Sequence, residues 1–223
     1  MNPTPSPEVG GAITALVQGR HQQPHDLLGQ HLEPGGLRIR VLKPLAQSVQ
    51  VRFEAGVTLD LEHEAVAQLS RVEAHLDDTM DYRLAVAWAD GIEHVQDAPY
   101  RFAPTLGEVD LHLVNEGRHE LLWTVLGARV HSYDGPMGPV QGVSFAVWAP
   151  RAKAVRVIGD FNDWDGRIHP MRLLGGSGVW ELFVPDVGVG NIYKFEIRGA
   201  DDVVRTKADP MARRTECPPN TGS

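Results

Sequence analysis

The chain has 223 residues, 42% of them hydrophobic and 22% charged, with 23 Gly, 16 Pro and a single Cys. That length suits one large domain or two of about 100 residues each, and it falls short of the roughly 250 residues of a (β/α)8 barrel. Twenty-one basic against 29 acidic residues leave a net charge of −8 and no Lys/Arg stripe, which argues against a nucleic-acid partner. No apolar run reaches the roughly 18 residues needed to span a membrane, so no membrane partner is expected. Cys217 has no second cysteine to pair with, and the residues after Met1 form neither a basic nor an apolar leader, so a cytoplasmic location is expected. Cys217 sits in a polar, Pro-rich run without an adjacent base, which predicts an inert thiol.

Residues 1–10 are rich in Pro, Gly and Ser and are expected to be flexible. A short helix is predicted over 11–20, with Ile13, Leu16 and Val17 on one face. Beyond it the chain reads as β. Stretches 37–41, 49–53, 82–86, 143–147, 155–157 and 193–197 alternate apolar with polar residues, and Gly, Pro, Asp and Asn interrupt them about every ten residues. Residues 62–78 conflict with this pattern: Val66, Leu69, Val72 and Leu76 recur at helical spacing.

An internal repeat resolves the conflict. Residues 36–51 align with 142–157 at an offset of 106, with six of sixteen positions identical, where average composition gives about one by chance. Residues 82–86 then match 193–197 at an offset of 111, so the second copy holds five extra residues. The alignment sets 69–80 opposite 180–191, which reads as strand and turn, and predicts strand for the ambiguous segment. The expected fold is all-β: two tandem immunoglobulin-like β-sandwich domains behind a short N-terminal helix. Residues 11–106 form the first sandwich on this reading, 107–141 a linker and 142–205 the second sandwich.

The extra residues fall near the run FNDWDGRIHPMR at 161–172, which has no counterpart in the first copy. A loop tryptophan among short polar side chains suits a sugar, whose C–H face stacks on an aromatic ring while its hydroxyls bond polar groups. Trp164 equally suits packing against its own sheet or another domain. Asp160, Asp163 and Asp165 lack the spacing of a calcium loop. His21, His25 and His31 surround a Pro-containing turn without a nearby Cys, and in a sequence with ten scattered histidines no metal site is expected there. Gly188 and Gly190 lack the third glycine of a dinucleotide loop, and no motif pairs two carboxylates for glycosidic chemistry. No metal, no cofactor and no catalytic residue are therefore expected.

The run FAVWAP at 145–150, with FNDWDGRIHPMR, GVWELF at 178–183 and YKFEI at 193–197, closely resembles the family 48 carbohydrate-binding module of bacterial 1,4-α-glucan (glycogen) branching enzymes. Upstream, PHDLLG at 24–29, DAPYRF at 97–102, NEGR at 115–118 and LGAR at 126–129 are similar to the extra N-terminal sandwich of those enzymes. The resemblance covers about residues 10–221. It implies that 206–223 form an extended tail leading toward a catalytic barrel whose carboxylates have no counterpart here. The expectation is a non-catalytic part that is inactive alone, taken from a transferase that forms α-1,6 branches in glycogen biosynthesis.

The resemblance also implies glycan contacts at Trp164 (a stacking platform) and Lys194 (a hydroxyl donor), with Asn162 and Asp163 in the same loop. Family members that bind well carry a second platform in the hairpin after Ile197, where this chain has Arg198, Gly199, Ala200, Asp201 and Asp202. Trp148 and Trp180 are expected in the core. The implied partners are α-1,4-glucan, glycogen or maltooligosaccharides and the branching-enzyme catalytic domain, and the chain is expected to be monomeric. The competing expectation is a structural brace with little sugar binding of its own, in which Arg167, His169 and Arg172 pack at an interdomain surface with Trp164.

Overall fold

In the computed structural model, residues 7–33, 36–64, 69–74 and 79–223 are described. Helix α1 (Pro7–Val17) opens the chain; its first residue is a proline, whose fixed φ suits the first helical turn. The helix thus starts earlier than the apolar stripe of residues 11–20 suggests, and Ile13 and Leu16 bury its inner face against Leu27, Leu28, Leu42 and Leu69.

Two β-sandwiches follow. In the first, β1 (Gly29–Glu33), β2 (Gly36–Leu42), β5 (Glu62–Glu64) and β6 (Leu69–Ala74) form one sheet in the order β1-β2-β6-β5. The facing sheet has β3 (Ser48–Phe53), β4 (Thr58–Asp60), β7 (Tyr82–Ala87) and β8 (Glu93–Gln96) in the order β4-β3-β7-β8. Ile39, Val41, Val51, Phe53, Tyr82 and Leu84 fill the space between them. The ambiguous segment is strand where it is described, in β5 and β6; Val66 and Leu76 lie outside the described residues, as do residues 1–6.

Helix α2 (Glu108–Asn115) separates the sandwiches. In the second, β9 (Gly127–Tyr133), β10 (Val140–Trp148), β12 (Arg172–Leu173) and β13 (Val179–Pro185) form a sheet in the order β12-β13-β10-β9. Strands β11 (Ala154–Gly159), β14 (Tyr193–Arg198) and β15 (Val204–Lys207) form the other. Phe145, Val147, Val157, Met171, Trp180, Leu182 and Phe195 make its core. Strand β9 falls inside the stretch expected as linker and pairs with β10 from Gly127 to Tyr133. It is an edge strand with polar residues on both faces, Arg129 and His131 on one and Ser132 beside exposed Val130 on the other, so its apolar alternation is weak.

The repeat appears directly in the topology. Ser48 pairs with Ala87 and Phe53 with Tyr82 in the first copy, and Ala154 with Arg198 and Gly159 with Tyr193 in the second, the same register displaced by 106 and 111. The copies differ at one edge. Strand β4 covers β3 through three paired residues, whereas β11 keeps only a single bridge, Arg156 to Pro170. The longer second-copy loop replaces the rest of that edge strand and carries Trp164.

The sandwiches are joined by buried polar contacts. Arg172 donates through Nε and Nη2 to Glu181 at 2.9 and 2.7 Å and through Nη1 to the Phe102 carbonyl at 3.1 Å. Glu181 also accepts from the Thr105 hydroxyl at 3.1 Å. The Tyr100 hydroxyl donates to the Pro170 carbonyl at 3.1 Å, and Leu173 N donates to the Gln22 carbonyl at 2.9 Å. Among the described residues no helix is long and apolar enough to cross a membrane.

Candidate glycan-binding site

The loop after β11 is built around two short helical turns, 160–162 and 166–168. Between them Asp163 and Trp164 both adopt left-handed backbone, with φ of 51° and 60°. An Asp tolerates this region through its short polar side chain, but a bulky aromatic there costs about 1–2 kcal/mol. Surrounding contacts hold it in place: Trp164 N donates to the Gly159 carbonyl at 3.0 Å and Asp165 N to the Asn162 carbonyl at 2.9 Å. The strained residue is 40% exposed. Strain at an exposed aromatic is the kind of outlier that points to function.

Asp160 ties this loop to β14. One carboxylate oxygen accepts from the Trp164 indole Nε1 at 3.2 Å, and the other accepts from the Ile192 amide at 2.9 Å. Lys194 follows two residues later, on β14 opposite Ile158, and its Nζ donates to the Thr221 hydroxyl at 2.6 Å. Two of the ammonium's three donors are left for other partners. The indole N–H of Trp164 is engaged, so the group it offers outward is its ring face.

The other expected residues are placed differently. Asn162 is buried: its Oδ1 accepts from Gly159 N at 2.9 Å, and its Nδ2 donates to the Val157 carbonyl at 3.0 Å and contacts His169 Nδ1 at 2.9 Å. Its polar atoms are used within the loop. Asp163 is exposed beside Trp164. Arg167 folds back on Asp165 through Nε and Nη2, at 2.9 and 2.6 Å, a pairing that holds the Asp165 carboxyl below its usual range. His169 is buried, and desolvation, with Lys43 nearby, pushes its pKa down to about 3. Arg172 stands at the joint with Phe102. Trp180 is fully buried, as expected, whereas Trp148 is 55% exposed, contrary to expectation; it ends β10 on the face opposite the sandwich core.

Sequence reasoning weighed Asp160 only as a calcium ligand, whereas it holds the Trp164 indole, and it passed over Glu181, the acid at the joint. A lone Glu inside the apolar run of β13 is a readable signal of a buried partner, since an isolated buried carboxylate is too costly to keep charged. No group of three or more metal-ligating side chains occurs among the described residues.

Two family models match. Residues 125–212 match "Carbohydrate-binding module 48 (Isoamylase N-terminal domain)" and residues 10–100 match "alpha-1,4-glucan branching enzyme GlgB, N-terminal domain". The 1,4-alpha-glucan branching enzyme GlgB of Rhodococcus jostii is 52% identical over 211 residues, covering 95% of this chain and 29% of that protein. GlgB of Thermobifida fusca is also 52% identical over 211 residues, covering 95% of this chain and 28% of that protein. The chain therefore spans under a third of the length of these curated relatives. Among solved structures, a pullulanase from Anoxybacillus sp. LM18-11 superposes with a TM-score of 0.35 at 17% identity, over 87% of this chain and 27% of that one, a fit too loose to carry an argument. The chain belongs to the GlgB branching-enzyme family and matches its N-terminal part, a GlgB N-terminal domain followed by a carbohydrate-binding module 48.

Proposed function

We propose that this chain is the non-catalytic, glucan-binding N-terminal part of a cytoplasmic glycogen branching enzyme. In this reading the whole protein transfers α-1,4-glucan segments to form α-1,6 branches. Trp164 stacks on a glucosyl ring of an α-1,4-glucan, glycogen or a maltooligosaccharide, and Lys194 donates to its hydroxyls. The first sandwich ends near residue 106, and the second is counted from β9. Asp163 lies close enough in sequence to contribute, while Asn162 acts by shaping the loop. The observation that carries the reading is the strained, exposed Trp164 with its indole N–H tied to Asp160.

One stacked ring contributes about 1–3 kcal/mol by analogy with other aromatic stacking, so a monomeric module with one platform binds no more tightly than roughly the high micromolar to millimolar range. The test is affinity electrophoresis in gels containing glycogen. Retardation that Trp164→Ala abolishes is the expected result, and unretarded wild-type protein rejects the reading.

A second reading, bracing of the catalytic domain, draws on a cavity of about 700 Å³ between β9, β10, the 187–193 loop and residues 213–217. Val130 and Val189 on its wall are exposed. Binding of this chain to a separately expressed GlgB catalytic domain in the absence of glucan supports bracing.

A further inference from the structure

Trp148 closes β10 with its ring open to solvent, although Val147 before it and Trp180 on the neighbouring strand are buried in the core. Alternation turns the two residues to opposite faces: Val147 pairs with Trp180 inside the sandwich, and Trp148 pairs with Val179 on the other face, where Val179 is buried with Leu106, Leu126 and Leu174 while Trp148 lies at the uncovered end of the strand. Its indole Nε1 donates to the Ser177 carbonyl at 3.2 Å. The backbone on either side is also fixed. Ala149 N donates to the Gly178 carbonyl at 2.8 Å, and Trp180 Nε1 donates to the Ala149 carbonyl at 3.1 Å. Gly178 has φ of 73°, and a Cβ there would lie 2.6 Å from Pro150. Only glycine lets the 174–178 hairpin close so tightly on the turn beside Trp148.

This is the design of Trp164 repeated: an exposed indole whose N–H is satisfied by the protein and whose apolar face remains. A side chain already held in one arrangement loses little further freedom when a ligand stacks on it. The space next to the ring is open, since Gly175 and Gly176 of the hairpin are exposed and a Cβ on either would meet nothing within 4 Å. Arg151, three residues along, is exposed and supplies guanidinium donors suited to hydroxyls.

We propose that Trp148 is a second stacking platform for α-1,4-glucan; this rests on the reading of Trp164 as the first. The two platforms flank β11, Trp148 shortly before its start and Trp164 shortly after its end. Its six residues span about 20 Å at ~3.3 Å per residue. A trisaccharide occupies one platform at a time, and a long glucan reaches both, which makes the second contact intramolecular.

The test is a titration of the ¹⁵N-labelled 223-residue chain with maltotriose, reading the indole N–H signals of Trp148 and Trp164 as assigned from Trp148→Phe and Trp164→Phe. Both signals are expected to move, with the Trp148 shift retained in Trp164→Ala. Trp148→Ala is expected to weaken retention by glycogen roughly two- to tenfold while leaving the maltotriose shift of Trp164 intact. If Trp164 moves and Trp148 does not, the second platform is rejected and the first stands. If the Trp148 shift disappears in Trp164→Ala, it is an indirect effect and the proposal also falls. If neither signal moves, both readings fail.

Discussion

The carboxylate of Asp160 holds the indole of Trp164 with one oxygen and the Ile192 amide at the head of β14 with the other. One side chain thereby fixes the ring relative to the strand that carries Lys194. Asp160→Ala removes both bonds, and the expected outcome is a three- to tenfold loss of glucan affinity, about 1 kcal/mol, with the ring still present. Isothermal titration with maltoheptaose measures it. Affinity equal to wild type would show that the ring needs no such anchor.

The left-handed backbone at Trp164 separates binding from bracing. Trp164→Gly relieves a strained φ, so stability is expected to stay level or rise by up to about 1 kcal/mol while glucan retention is lost. Urea denaturation gives the first quantity and a glycogen gel the second. A loss above about 2 kcal/mol would mark Trp164 as a packing residue instead.

At the joint, Arg172 and Glu181 form an ion pair with little solvent access. Arg172→Ala leaves a buried carboxylate unpaired and is expected to cost about 3–5 kcal/mol. Arg172→Ala combined with Glu181→Ala is expected to recover part of that loss, because no charge is then stranded. Chemical denaturation of the single and double variants decides the matter, and equal stability of the two would contradict it.

Acid sensitivity follows from His169 and His25, both held neutral by burial with pKa near 3. The unfolded chain protonates each near pH 6.5. Between about pH 6.5 and 3 the unfolded state therefore binds more protons at these sites, and stability drops as pH falls, by about 1.4 kcal/mol per pH unit per histidine. His169→Asn is expected to flatten part of this slope, read from urea midpoints across pH 4–7. An unchanged slope would mean His169 is protonated in the folded state.

Gly178 offers a check on the hairpin beside Trp148. Gly178→Ala meets both an unfavourable φ and the Pro150 ring, and more than about 1 kcal/mol of destabilisation is expected, measured as a lowered thermal midpoint.

What the sequence determined by itself is the local pattern. Period-two alternation marked most of the strands that line the two cores. The offset repeat matched 36–51 to 142–157 and 82–86 to 193–197, and β3 with β7 and β11 with β14 indeed share one register, because a strand that slips by one residue turns its apolar face outward. The run around Trp164 was equally legible as an insertion with no counterpart in the first copy. Tertiary structure decided the rest. Strand β9 has too polar a face to read as strand, and its pairing with β10 defines it. Asn162 looked like a ligand contact by adjacency, yet it is buried against Gly159 and His169. Trp148 and Trp180 look alike in the sequence, but only the second faces the core. Strand alternation specifies that residues point to opposite faces; which face is covered depends on what packs there, and that is a property of the folded chain alone.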